Sequence, residues 1–153
     1  MRSRMFQMTL VVVSLTIMIS TNAVGKVATP QASQDDKSYT GRWVGTYVNQ
    51  DGESEKVVFT LSKDQDGSWR GTVTYTNQDG EQTAELKSLR IEGAKFSARI
   101  DSPNGAQVIS LEGEFNGTRF EGTYSVSEKD STEIMEKGSW KTTKAPPGTP
   151  EKT

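Results

Sequence analysis

The chain has 153 residues, of which 32% are apolar, and its 18 Lys and Arg residues nearly balance 20 Asp and Glu residues. This length fits one domain, and the charge balance excludes the basic surface on which nucleic-acid binding depends. The sequence has no cysteine and no histidine, which excludes disulfides, thiol nucleophiles, thiolate metal sites and histidine-based triads. We therefore expect a protein that is not an enzyme and that holds no cofactor and no metal.

Residues 1–25 are predicted to be a signal peptide. Arg2 and Arg4 form a basic start, and the stretch from Leu10 to Ile19 is mostly apolar. Small residues follow, with Ala23-Val24-Gly25 or Thr21-Asn22-Ala23 as the cleavage motif. The alternative is an uncleaved anchor helix, although the apolar stretch is short for a bilayer span. We expect the mature protein to be secreted or periplasmic and not to span a membrane.

The rest of the chain divides into three parts by composition. Residues 26–38 are polar and predicted to be a disordered linker, and residues 144–153 contain three prolines and are predicted to be a disordered tail. Residues 39–143 between them show a regular alternation of polar and apolar side chains. This central part is predicted to be the folded domain.

Seven turn signals rich in Asn, Asp and Gly divide this domain into eight segments that alternate with a period of two. The signals lie at residues 49–52, 64–67, 77–80, 92–93, 103–105, 116–117 and 128–131. Evenly spaced strands of this kind predict an all-β protein, an eight-stranded antiparallel up-and-down (meander) β-barrel. The first and last segments both contain Gly-x-Trp, so we expect them to pair and close the barrel. The fourth segment loses its alternation near Lys87 and Ser88, where we expect a bulge.

Glycines lie beside large aromatic residues on the predicted inward faces. Gly45, Gly71, Gly113 and Gly122 each neighbour one or two aromatic side chains of the same face. A small barrel has little interior space, and glycine allows strands to bend and backbones to approach closely. Ten of the twelve aromatic residues are predicted to point inward, Phe6 and Tyr39 being the exceptions.

The sequence Gly41-Arg42-Trp43 opens the first strand of this predicted meander. In this respect the chain resembles the calycin superfamily of lipocalins, fatty-acid-binding proteins and avidins. Gly122-Thr123-Tyr124 resembles a run found in avidins. Avidins carry an Asn two residues after the first Trp, whereas this chain has Gly45, so the resemblance does not extend to biotin. It implies a small up-and-down barrel with a small-molecule site.

Five inward-facing residues are candidates for a ligand site. Tyr47, Tyr75 and Tyr124 would supply hydroxyl groups, Phe59 an apolar surface, and Glu136 a carboxylate. The alternative is a packed interior in which the phenols bond to backbone or water. Glu136 shares the parity of Ile134 and Gly138, which would make it face inward. The alternative is a bulge that moves Met135 into the core and puts Glu136 in water.

These features favour an exported, non-enzymatic protein that holds a small, mostly apolar molecule in the mouth of the barrel. Apolar burial would supply affinity, and the phenols would set orientation. The alternative is a protein-binding or enzyme-inhibitor module that uses its hairpin loops or the arm formed by residues 26–38. A barrel embedded in a membrane is disfavoured because the outward positions include Arg42, Arg70, Lys95 and Arg99.

Overall fold

A computed structural model describes residues 38–148 of the chain. The predicted signal peptide, residues 26–37 of the predicted linker and the last five residues lie outside this range. Within it, nine strands form one antiparallel sheet in the order β4-β3-β2-β1-β9-β8-β7-β6-β5. The strands are β1 (Gly41–Val48), β2 (Ser54–Lys63), β3 (Trp69–Asn77), β4 (Gly80–Glu85), β5 (Lys87–Glu92), β6 (Lys95–Asp101), β7 (Gln107–Asn116), β8 (Arg119–Glu128) and β9 (Ile134–Lys144).

The prediction of an antiparallel up-and-down barrel is confirmed, but the prediction of eight strands is wrong. The fourth predicted segment is broken at Leu86 into β4, which pairs with β3, and β5, which pairs with β6. The side chain of Leu86 is buried, and its amide donates to the carbonyl of Gly71 at 2.9 Å. The expected bulge is present: the β5–β6 register shifts between Lys87 and Arg90, and Ser88 has a φ of 50°.

Pairing of the first strand with the last brings the two halves of the sheet together. Positions 43 to 48 of β1 pair with positions 144 to 139 of β9, so that Gly45 lies opposite Thr142. The amide of Ala145 then donates to the carbonyl of Arg42 at 2.8 Å. Only β4 and β5, which are consecutive in the chain, remain at the ends of the strand order. The result is a nearly closed barrel.

One half of the barrel interior is filled by a cluster of aromatic rings. Phe120, which is fully buried, lies at its centre and stacks on Phe115 with ring centroids 4.2 Å apart. The rings of Trp43, Phe59, Phe96 and Trp140 lie within 5.7 Å of Phe120 by centroid distance. Aromatic side chains bury large areas and gain further from edge-to-face contacts. This cluster is the hydrophobic core.

Tyr39 closes the filled end of the barrel, although its position lies outside the alternating strand pattern. It sits in a helical turn just before β1, is 8% exposed and stacks on Phe115 at 4.2 Å. The indole N–H of Trp43 donates to its carbonyl at 2.9 Å. Its burial comes from capping the end of the cylinder rather than from facing inward along a strand.

Glycines make room for rings and for neighbouring backbones. Gly113 and Gly122 pair across β7 and β8, and the indole of Trp140 lies against both. A Cβ atom at position 122 would be 2.4 Å from Cζ2 of Trp140, and one at position 45 would be 1.9 Å from the carbonyl oxygen of Lys141. The glycines beside the aromatic residues are therefore a steric requirement of the closed barrel.

A bulge in β9 changes which residues reach the interior. The β8–β9 register shifts so that Val126 pairs with Glu136 while Ser127 pairs with Ile134, which leaves Met135 without a partner. Ile134 is 47% exposed, so its predicted inward orientation is wrong. Glu136 keeps its inward orientation, and Met135 joins it at the open end of the barrel. The bulge of the alternative prediction is therefore present, but Met135 is 50% exposed and does not enter the core, and Glu136 is not turned out into water.

Replacing Gly45 by Ala is expected to lower the free energy of unfolding by about 2 kcal/mol or more, because the new methyl group overlaps the backbone of β9. The matched control is Thr46→Ala, at the next and exposed position of β1, with an expected loss below about 1 kcal/mol. Urea unfolding of both variants measures the difference. A Gly45→Ala protein as stable as the wild type would contradict the close approach of β1 and β9.

Candidate functional site

The other half of the barrel contains a cavity of about 650 Å³ that opens at the end opposite Tyr39. Phe59 and Trp140 belong to both the aromatic cluster and the cavity lining, so they form its floor. Aliphatic side chains form the walls, and polar residues of the loops and strand ends form the rim. The aliphatic residues are Val57, Val73, Ile100, Ile109, Leu111 and Val126, and the rim includes Gln50, Asn77, Asp79, Ser102, Asn104 and Gln107.

All five residues that the sequence analysis proposed line this cavity: Tyr47, Phe59, Tyr75, Tyr124 and Glu136. They come from β1, β2, β3, β8 and β9. Closure of the barrel through the β1–β9 pairing is what brings strands so distant in the chain around one space. The interior is therefore packed with side chains at one end and contains a cavity at the other. Each of the two alternatives, a packed interior and a ligand cavity, thus describes one end of the barrel.

Tyr124 and Glu136 form a direct hydrogen bond between two side chains of the cavity lining. The phenol of Tyr124 donates to Oε1 of Glu136 at 2.6 Å. Gly138 lies opposite Tyr124 across the β8–β9 ladder, and a Cβ atom there would be 2.3 Å from the tyrosine ring. The ring therefore packs directly on the backbone of β9, which directs its hydroxyl to Glu136. Burial, followed by the hydrogen bond to Glu136 and its charge, raises the pKa of Tyr124 well above the usual phenol range.

The other two phenols differ in their partners. The hydroxyl of Tyr47 donates to the carbonyl of Thr76 at 2.6 Å, and its ring meets Tyr124 edge to face with centroids 5.9 Å apart. The hydroxyl of Tyr75 makes no hydrogen bond within residues 38–148. Burial is the main cause that raises the pKa of both phenols, and for Tyr47 the charges of Glu55 and Glu136 add to it. Tyr75 thus presents a half-buried hydroxyl to the cavity.

Beyond the five predicted residues, the lining includes Trp140 and Met135, which differ in whether the sequence could have identified them. Trp140 forms part of the floor, and its parity with Glu136 and Gly138 was the signal that could have identified it. Its buried indole N–H has no hydrogen-bond partner in the described part of the chain. Met135 reaches the cavity because of the β9 bulge, which depends on the partner strand. Periodicity along β9 alone could not have placed it there.

The charged lining of the cavity is acidic. Asp79 and Glu136 are its charged residues, and no Lys or Arg of the described chain belongs to the lining. Glu136 forms no ion pair within residues 38–148, and one of its oxygens is left to accept a further hydrogen bond. In the same range, no group of three or more acidic side chains could hold a metal ion. The site therefore combines apolar walls and three phenols with two carboxylates, Glu136 in the interior and Asp79 at the rim.

Comparisons with known proteins find solved structures of similar fold but assign the chain to no family. No family model and no curated protein sequence matches the chain. A redesigned β-barrel shares the fold with a TM-score of 0.56 at 14% identity, covering 75% of this chain and 98% of its own. The redesigned β-barrel mFAP1, bound to DFHBI, has a TM-score of 0.54 at 14% identity, covering 73% of this chain and 100% of its own. EF1p2_mFAP2b, also bound to DFHBI, has a TM-score of 0.55 at 17% identity, covering 71% of this chain and 94% of its own.

Within residues 38–148, no helix has the length and apolar character that a membrane span requires.

The Tyr124–Glu136 contact predicts a dependence of stability on alkaline pH. A phenol whose folded pKa lies above its ordinary value of 10.0 stabilises the fold fully below that pH. The stabilisation is lost as the pH rises further, because the unfolded chain then releases this proton first. The unfolding free energy of the wild type should therefore fall as the pH rises above about 10. Tyr124→Phe should make this fall less steep. Tyr75→Phe should have a smaller effect on the slope, because burial alone raises the pKa of Tyr75.

Urea unfolding at pH values between about 8 and 11 measures these slopes. An identical slope in the wild type and in Tyr124→Phe would contradict the contact.

Proposed function

We propose that this protein is an exported, non-catalytic binding protein that holds a small, mostly apolar molecule in the open half of its barrel. The observation that carries the proposal is the cavity of about 650 Å³, with aliphatic walls, an aromatic floor and a few polar groups. Ligand sites usually occupy about 300–1,000 Å³ and combine apolar walls with a small number of polar groups. The volume and the lining both fit this description.

Two independent considerations support binding rather than catalysis. The chain lacks cysteine and histidine, which are common nucleophiles and general bases. The solved barrels of similar fold include two that bind the small dye DFHBI. Similarity of fold alone does not imply that two proteins bind the same ligand. It does support the barrel interior as a place where small molecules bind.

Export is proposed from residues 1–25, which combine a basic start, an apolar stretch and small residues. A location outside the cytoplasm, secreted or periplasmic, follows from this pattern. Sequencing the amino terminus of the protein recovered from that compartment tests it. An amino terminus that still carries Arg2 and Arg4 would contradict cleavage.

Filling the cavity should abolish binding. Ile109 is half-buried on β7 and lines the cavity, so Ile109→Trp adds a ring to the open space. We expect this variant to bind the neutral, polarity-sensitive dye Prodan at least about tenfold more weakly than the wild type, or about 1.4 kcal/mol. Fluorescence titration of the dye measures the affinity.

The matched control is Ile134→Trp, the same change at an exposed position outside the cavity lining. Its affinity should equal that of the wild type. A wild-type protein that does not bind the dye, or equal weakening by both substitutions, would contradict a site in the open half of the barrel.

A further inference from the structure

The polar groups of the cavity indicate the charge of its ligand. The carboxylate of Glu136 is half-buried beside the hydroxyl of Tyr124, which occupies only one of its two oxygens. A carboxylate accepts several hydrogen bonds and forms its strongest ones with charged donors. Because no basic side chain of the described chain lines the cavity, no protein cation is placed there to satisfy the free oxygen.

Tyrosine rings that share the cavity with this carboxylate favour the same chemistry. Tyr47, Tyr75 and Tyr124 line the cavity together with Glu136, and the rings of Tyr47 and Tyr124 lie 5.9 Å apart. The negative face of a tyrosine ring attracts ammonium groups, and several such rings around one space form a cage for a cation. An anionic ligand would meet repulsion from Glu136 and Asp79 and would find no Lys or Arg among the lining residues.

The field at the open end is negative beyond the lining itself. Glu53 lies just before β2, and Glu55 near the start of β2 pairs with Tyr47 near the end of β1. Together with Glu136 they contribute to raising the pKa of the Tyr47 phenol, after the larger effect of burial. A cation would therefore be attracted to the opening before it makes contact with the cavity.

We propose that the ligand is an aromatic or otherwise apolar amine, whose cationic nitrogen binds Glu136 within the three tyrosine rings while its apolar body lies against the walls. This inference rests on the proposed function, which supplies the site. It adds a chemical class: amines are bound in preference to alcohols and carboxylic acids of the same shape.

Three probes of one shape test the charge preference: naphthalenemethylamine, naphthalenemethanol and naphthoic acid. Isothermal titration calorimetry of the full chain should give the tightest Kd for the amine, about tenfold below that of the alcohol, and the weakest binding for the acid. In Glu136→Gln the amine should lose this advantage and bind like the alcohol. The affinity of the alcohol should change by less than about twofold.

The matched control is Glu121→Gln, an exposed carboxylate of β8 that does not line the cavity, and it should keep the wild-type order of affinities. A second measurement uses only the wild type. Raising the salt concentration should weaken binding of the amine and leave binding of the alcohol unchanged, because salt screens charge pairs.

The outcomes separate the two proposals. If the alcohol binds in the cavity but the amine binds no more tightly, or if Glu136→Gln leaves the preference for the amine intact, the charge inference is overturned and the binding function stands. If none of the three probes binds, the proposed function fails as well. A naphthoic acid that binds most tightly would overturn the inference directly.

Discussion

The hydrogen-bonded pairing of β1 with β9 is the constraint on which the remaining structure depends. It joins strands separated by about a hundred residues and requires that the two backbones approach closely at Gly45, where a Cβ atom would overlap the carbonyl of Lys141. Without this pairing the sheet would be open along two long edges, and its apolar face would be exposed to water. With it, Tyr47 on β1 and Glu136 on β9 face one interior.

The distribution of bulky rings along the barrel axis then decides where the interior is empty. Phe115, Phe120 and Trp43 pack at the end capped by Tyr39, and paired glycines seat the indole of Trp140 at mid-height. Toward the other end the inward residues are aliphatic or are tyrosines at the wall, and they leave a cavity. The same alternation that builds the strands therefore produces a packed core and an open cavity within one barrel.

Much of this arrangement was predictable because it is encoded locally. Alternation within segments and Asx-Gly turns predicted the meander, and turn residues such as Gly52, with a φ of 83°, adopt the expected conformation. The strand boundary at Leu86 was not predictable from the sequence. It exists because the residues before Leu86 pair with β3, whereas those after it pair with β6. The placement of Met135 and the burial of Tyr39 likewise depend on contacts between distant segments. The parity of β9 placed Glu136 and Ile134 on one face, but the bulge separates them: Glu136 lines the cavity, whereas Ile134 is 47% exposed. Parity along β9 also could not identify Tyr124 as the partner of Glu136.

Amide hydrogen exchange, followed by NMR on the uniformly labelled protein, tests the closure of the barrel most directly. In a closed barrel, the hydrogen-bonded amides of β1 and β9 should exchange as slowly as those of the β7–β8 pair, because all belong to one continuous ladder. Rapid exchange along β1 and β9, with slow exchange retained in β7 and β8, would show an open sheet and would contradict both the cylinder and the cavity within it.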